Sequence, residues 1–401
     1  MSASPLPLSR IDRLLVWRYI FAGLCASLDS IGLARFAFTP LIPELIHAHW
    51  FTTSAVVYLG AANLAGYVLG ALMGRPLAAR LANEQVLRAM MLLISAAFVA
   101  CAFPLSFSWY FGWRFVSGIA GGVVMVLVAG TILPHVPPAR RGAAGGAIFL
   151  GLGLGIAGSG TVIPLLLQWG LAQTWLGLGA ISVLLTALSW FAWPASALAA
   201  SRNDAPAARA PRFGWDVRSL YAQYALMAAA AVPPMVFLVD FVARGLGKGT
   251  YLGSVFWAIY GLGAIAGPPL YGYLADRLGP RPTLRVVAVA MAVVFLGLYA
   301  SRDMALLGAL TLAIGTFAPG MVPLVLACVH DVVRHGAARQ NAAWTRASVI
   351  SAAALAVAAY AFSALFNASG GNHRMLFLVS AAMLVATLLL SLLSRERRAA
   401  R

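Results

Sequence analysis

Residues 15–44 read LVWRYIFAGLCASLDSIGLARFAFTPLIPE, an apolar run broken by the charged residues Arg18, Asp29, Arg35 and Glu44. About 20 apolar residues at 1.5 Å each are enough to cross the hydrocarbon of a bilayer. The polar, basic stretch before it, MSASPLPLSRIDR, could introduce a signal peptide. However, the apolar run is too long, carries Asp29 and Arg35, and lacks an A-x-A cleavage site. It therefore reads as a first membrane span.

Eleven more segments of this kind follow. The twelve spans are expected near 15–44, 52–75, 86–107, 109–133, 142–168, 174–199, 218–242, 251–275, 283–301, 305–329, 340–366 and 373–394. The composition agrees, with 62% hydrophobic and 10% charged residues against about 45–50% and about 25% in soluble chains. The longest connection, ASRNDAPAARAPRFGWD at 200–216, is rich in Ala, Pro and Arg. It divides the chain into an N-terminal six-helix half at 1–199, a linker at 200–217 and a C-terminal six-helix half at 218–401. The expected fold is all-α and integral to the membrane.

The net charge of +17 could belong to a nucleic-acid binder if it formed a patch on a soluble face. Its distribution argues otherwise. If both termini are cytoplasmic, 21 of the 28 basic residues fall at inner span ends and 4 in outer loops, while Arg35, Arg114 and Arg346 lie within spans. Such an asymmetry sets orientation, so the charge is mostly topology and no nucleic-acid partner is expected. Cys25, Cys101 and Cys328 are dispersed among apolar residues, and His47 and His49 have no further ligand nearby. Neither a disulfide framework nor a metal site is implied. No phosphate loop, nucleophile elbow or zinc motif occurs, so no cofactor and no enzymatic activity are expected.

The loop after the eighth span reads Gly272-Tyr-Leu-Ala-Asp276-Arg277-Leu-Gly279-Pro-Arg281. It resembles the G-x-L-a-D-R-x-G-x-R signature of the major facilitator superfamily in residues, spacing and position. Arg114-Phe-Val-Ser-Gly118 in the fourth span is similar to that family's helix-four R-x-x-x-G motif. Gly32-Leu-Ala-Arg35-Phe36-Ala-Phe-Thr39-Pro40-Leu-Ile-Pro43 resembles a run found in a largely uncharacterised bacterial subfamily, the YbfB/YjiJ type. The resemblance covers essentially the whole chain. It implies a transporter with a cavity between two halves, in the bacterial inner membrane, and it leaves the substrate open. A monomer is expected, with the lipid bilayer, a small-molecule substrate and H+ as partners.

The matching loop after span 2 has Ala79 and Ala82 where the signature has Asp and Gly. In the family this Asp–Arg cluster latches the cytoplasmic side. A one-sided latch is therefore expected here, joining Asp276 to Arg277, Arg281 and Asp331; solvated charges worth little are the other reading.

Ionisable residues inside spans mark pathways by default. Asp29 lies near the middle of span 1. Burial favours a neutral carboxyl and a nearby guanidinium an ionised one, which suits a group that loads and unloads a proton. Permanent pairing to an arginine, or a substrate contact, are the other readings. Arg114 is expected in the cavity, with a reach toward Asp29. Arg35 either faces the cavity or ties helix ends near Pro40 and Pro43. Arg346 either faces the cavity or snorkels to the interface. Phe36, Thr39, Asn63, Tyr67, Trp257, Tyr260 and Trp344 complete the cavity candidates, with packing as the alternative for the aromatics. With all four charges in the cavity the balance is positive, which leans toward an anionic solute.

Span 2 carries Gly66-x3-Gly70-x3-Gly74, a small-residue stripe for close helix approach. Pro233-Pro234 should interrupt span 7, and Gly315, Pro319, Gly320 and Pro323 span 10. The resulting expectation is a proton-coupled secondary transporter working by alternating access. Export of amphipathic drugs, or a non-transporting receptor on the same fold, are the alternatives.

Overall fold

The computed structural model describes residues 10–137, 140–195, 213–333 and 337–399, and no strand occurs among them. Twelve helical spans are long and apolar enough to cross a membrane: Leu14–His47, Thr53–Arg80, Asn83–Cys101, Phe107–His135, Ala144–Leu167, Leu171–Ser189, Trp215–Gly245, Gly249–Leu278, Pro280–Ala300, Met304–Val332, Ala342–Ala368 and His373–Ser394. Spans 1–6 and 7–12 form the two halves. Because spans alternate in direction, Arg10 and Ala399 lie at one end of the bundle, the termini end, and the loop at His47–Thr53 lies at the other, the far end. The linker expected at 200–217 lies outside the described residues as far as 212, and span 7 begins at Trp215.

Three boundaries differ from expectation by five residues or more, and one of them is the end of span 3, at Cys101 and not 107. Span 2 runs on to Arg80 as helix despite Pro76, so the loop that departs from the signature is the last turns of a helix. Span 6 stops at Ser189, not 199. The apolar residues after it remain, but their backbone is held by side chains from elsewhere: Arg88 Nε donates to the Trp190 carbonyl (2.9 Å) and Arg18 Nη2 to that of Phe191 (2.9 Å).

Glycine explains the packing of the first half. A Cβ on Gly66 would run into the carbonyl of Phe115, and one on Gly70 into that of Ile119. Spans 2 and 4 thus approach at backbone contact, as small-residue stripes allow in lipid.

Spans 1, 7 and 10 are broken. Span 1 changes from α-helix to a π-helical stretch at Leu28–Leu33, turns, and resumes at Phe38–His47. Span 7 breaks at Ala231, ahead of Pro233-Pro234. Span 10 breaks at Thr316, three residues before Pro319. Proline lacks an N–H and crowds the carbonyl four residues back, so a break just upstream is its usual consequence.

The halves meet most closely toward the far end. Thr39 Oγ1 donates to the Met235 carbonyl (2.7 Å), Phe36 packs on Trp257 (6.1 Å between centroids), and Ser363 Oγ reaches the Val57 carbonyl (3.2 Å). The helices at the termini end of spans 1 and 7 instead pack within their own halves, on spans 4–6 and spans 10–12 respectively. A contact across the seam at that end is Arg75 Nη2 to Thr345 Oγ1, at 3.2 Å.

Candidate functional site

The break in span 1 organises the site. The Asp29 carbonyl accepts from Ala34 N at 2.9 Å, five residues on. This π-type bond inserts a residue into the helical register, a device common at functional sites. Asp29 itself is 0% exposed. Both of its carboxyl oxygens, and the Ser30 hydroxyl beside it, lack a hydrogen-bond partner. Ser182 of span 6 faces the carboxyl from beyond ordinary hydrogen-bond distance. The Ser182 hydroxyl is instead paired with Ser95 of span 3 at 2.7 Å. Asp29 therefore turns toward the interior of its own half.

Arg114 does not reach it. The turn after the π-helical stretch leaves the Ala34 carbonyl as an acceptor, and Arg114 Nη1 takes it at 2.7 Å. The guanidinium lies 4.3 Å above the Phe38 ring, while its Nε has no partner. Among the described residues, neither Asp29 nor Arg114 takes part in an ion pair.

Arg35 occupies the seam between the halves. It is half-buried, lies 5.2 Å from the Phe36 ring and 5.4 Å from the Tyr67 ring, and has an unpartnered Nε. Arg35, Phe36, Thr39 and Arg114 line one cavity with Met235 and Val236 of span 7. Trp257 and Tyr260 of span 8 stack in parallel at 5.0 Å behind Phe36. The Trp257 indole N–H is held by Ser159 of span 5 at 3.0 Å, whereas the Tyr260 hydroxyl is buried with no partner.

Other candidates lie apart. The Asn63 amide bonds Ser117 Oγ (2.9 Å) and the Arg114 carbonyl (3.4 Å), tying span 2 to span 4. Trp344 stacks on Tyr224 at 6.3 Å, and Arg346 lies over the Phe213 ring at 5.1 Å. Arg346 follows Thr345, the partner of Arg75, so it stands near the termini end, a layer away from Arg35 and Arg114.

The signature loop is also divided. Arg281 Nε pairs with Asp331 Oδ2 at 3.0 Å, joining spans 9 and 10. Asp276 is exposed and takes part in no ion pair among the described residues. Arg277 lies over the Tyr273 ring of its own helix at 5.0 Å. Gly272 faces open space, and Gly279 ends the helix with φ +87°. In this state the loop is a contact within the second half.

The sequence reading overlooked a second buried acid. Asp240 of span 7 is 0% exposed. It receives a two-pronged contact from Arg244 and a 2.6 Å contact from His373 Nε2, which begins span 12. Its place inside an apolar segment, with Arg244 one turn later, was the available signal.

The family described as the uncharacterised MFS-type transporter YbfB matches residues 27–392. A chloramphenicol resistance protein of Streptomyces lividans is 26% identical over 317 residues, covering 73% of this chain and 78% of that protein. Among solved structures, the nucleoside transporter NupG aligns with a TM-score of 0.76 at 11% identity, covering 96% of this chain and 99% of that one. A D-xylose–proton symporter aligns at 0.73 and 17% identity, covering 95% and 97%. With twelve spans in two halves, a cavity at the seam and a family match over nearly its whole length, the chain belongs to the YbfB-type family of major facilitator superfamily transporters.

Proposed function

We propose that the protein moves a small organic anion across the bacterial inner membrane by proton-coupled alternating access, with both termini in the cytoplasm. The observation that carries the reading is Arg35. Its guanidinium stands at the seam between two aromatic rings, lines the shared cavity, and has no carboxylate partner among the described residues. Charge withdrawn from water is costly unless paired. A guanidinium also matches a planar oxyanion with two parallel bonds. A site of this kind suits an anionic solute that arrives and leaves, with Arg114 as a second cation in the same cavity.

Asp29 supports the proton coupling. A buried carboxyl without a partner is at low cost only while it carries a proton. A rearrangement that wets it would let the proton go. The excess of basic residues at the termini end supports the orientation. The seam, with close packing toward the far end and separate packing toward the termini end, supports rocking of the halves.

A thermal-stabilisation screen of purified protein, comparing organic acids with lipophilic cations, tests the substrate class. Saturable stabilisation by organic acids, lost in Arg35→Ala and not restored by Arg35→Lys, is expected. Stabilisation by lipophilic cations alone would overturn the anion reading. It would favour export of amphipathic drugs, the reading supported by the similarity to the chloramphenicol resistance protein. For coupling, Asp29→Asn in proteoliposomes should lose uptake driven by a pH gradient and retain counterflow. Full gradient-driven uptake by this variant would exclude Asp29 as the proton carrier.

A further inference from the structure

The acid–histidine–arginine cluster at the far end does not line the cavity that holds Arg35 and Arg114. His373 is 7% exposed and Asp240 0%. The imidazole is held between the rings of Phe366 (4.8 Å) and Phe241 (5.9 Å). Its Nε2 donates to Asp240 Oδ2 at 2.6 Å, the spacing of a charge-assisted bond. That leaves Nδ1 as the free basic atom. It faces Gly245, where a Cβ would come within 2.9 Å, so the absence of a side chain keeps room beside it.

The cluster also crosses the seam. Arg244, which grips Asp240, extends Nη1 to Thr53 Oγ1 at the start of span 2, at 3.3 Å. About a third of the Arg244 side chain is exposed, so the cluster has a route to water from the far side. The charged groups facing the imidazole are few. Span 7 contributes Asp240 and Arg244, and span 11 contributes the Phe366 ring. On span 12, Arg374 turns away to the carbonyls of Tyr299 (2.7 Å) and Ser301 (3.1 Å). The amino end of span 12 is capped by Asn372 Oδ1 on Met375 N at 3.2 Å.

We propose that His373 is a proton-binding site that controls closure of the far end. Uptake of a proton at Nδ1 turns the His373–Asp240 contact into an ion pair and secures the closed arrangement, in which Arg244 reaches Thr53. Release of the proton weakens that arrangement and favours opening. A proton bound more tightly in the closed state than in the open one necessarily shifts the balance toward closure. Histidine is the side chain whose ordinary titration falls between about pH 5 and 8.

Ser363, whose hydroxyl crosses the seam to the Val57 carbonyl and is 1% exposed, provides a reporter. Ser363→Cys would be introduced after Cys25, Cys101 and Cys328 are replaced by alanine. Its rate of maleimide labelling in nanodiscs would be compared with the same protein carrying His373→Gln, which keeps a donor toward Asp240 but cannot take a proton. The ratio of the two rates cancels the thiol's own pH response. It should change about tenfold between pH 5.5 and 8, with the histidine-bearing protein labelled more slowly at low pH. A ratio independent of pH would overturn the proposal and leave His373 as a fixed neutral donor.

Should the glutamine variant not fold, diethylpyrocarbonate modification of the unaltered chain, followed by mass spectrometry, gives a second measurement. His373 modification should rise more steeply with pH than that of the exposed His47 and His49. Parallel profiles would overturn the proposal equally.

Discussion

Asp29 and Asp240 are both 0% exposed, one in each half; Asp29 lies within the π-helical stretch Leu28–Leu33 of span 1, and Asp240 directly precedes the one at Phe241–Gly245 in span 7. Their surroundings are opposite. Asp240 is held by Arg244 on two oxygens and by His373, whereas Asp29 has no ion pair among the described residues and only the Ser182 hydroxyl facing it beyond ordinary hydrogen-bond distance. Burial alone therefore says little about a carboxylate in this protein. The partnered acid fastens spans 7 and 12 together; the unpartnered one is left with a valence that only a proton or a rearrangement can fill.

The comparison can be tested through stability, beginning with the largest expected effect. Asp240→Ala removes the anion between Arg244 and His373 and leaves a buried imidazole and a partly exposed guanidinium unmatched. The loss should be about 3–5 kcal/mol, the usual cost of breaking a buried ion pair, read as a fall in melting temperature and yield. Gly66→Ala drives a methyl group into the backbone of span 4 at Phe115, where neither helix can give. Overpacking of this kind costs about 1–3 kcal/mol, and the same melting assay should show it. Asp29→Asn should change stability by less than about 1 kcal/mol, since no bond is removed. A large destabilisation there would mean that Asp29 has a structural partner and would erase the contrast with Asp240. Asp276→Asn, at an exposed carboxylate, should lie within about 0.5 kcal/mol. If it instead altered the balance between inward-open and outward-open forms, the signature loop would act in a state other than this one.

Much of the fold was legible in the residues. Hydropathy located twelve spans, and Pro233-Pro234 and Pro319 announced the breaks in spans 7 and 10. The end of span 6 was not legible, because apolar residues continue past Ser189 and the helix stops where Arg18 and Arg88 bind the following carbonyls. The site was legible in part. Arg35 and Arg114 stood out as charges in apolar runs, and both line the seam cavity. The direction of Asp29 was hidden by the π-helical stretch, which changes the angle between Asp29 and Arg35 that a regular helix predicts. His373 could not be linked to Asp240, from which 133 positions of sequence separate it. Its neighbours are decided by how spans 7 and 12 pack.

The backbone contact between spans 2 and 4 has one more consequence. With Gly66 and Gly70 seated directly on the carbonyls of Phe115 and Ile119, neither span can slide or roll on the other without collision. The first half should therefore swing as a stiff lever, with its fulcrum along the seam. Thr53 and Arg75 sit near opposite tips of one continuous helix in that lever. A small displacement at Thr53, where Arg244 takes hold, would be delivered reversed in direction some 22 residues of sequence away, about 33 Å along the helix axis, at the contact between Arg75 and Thr345.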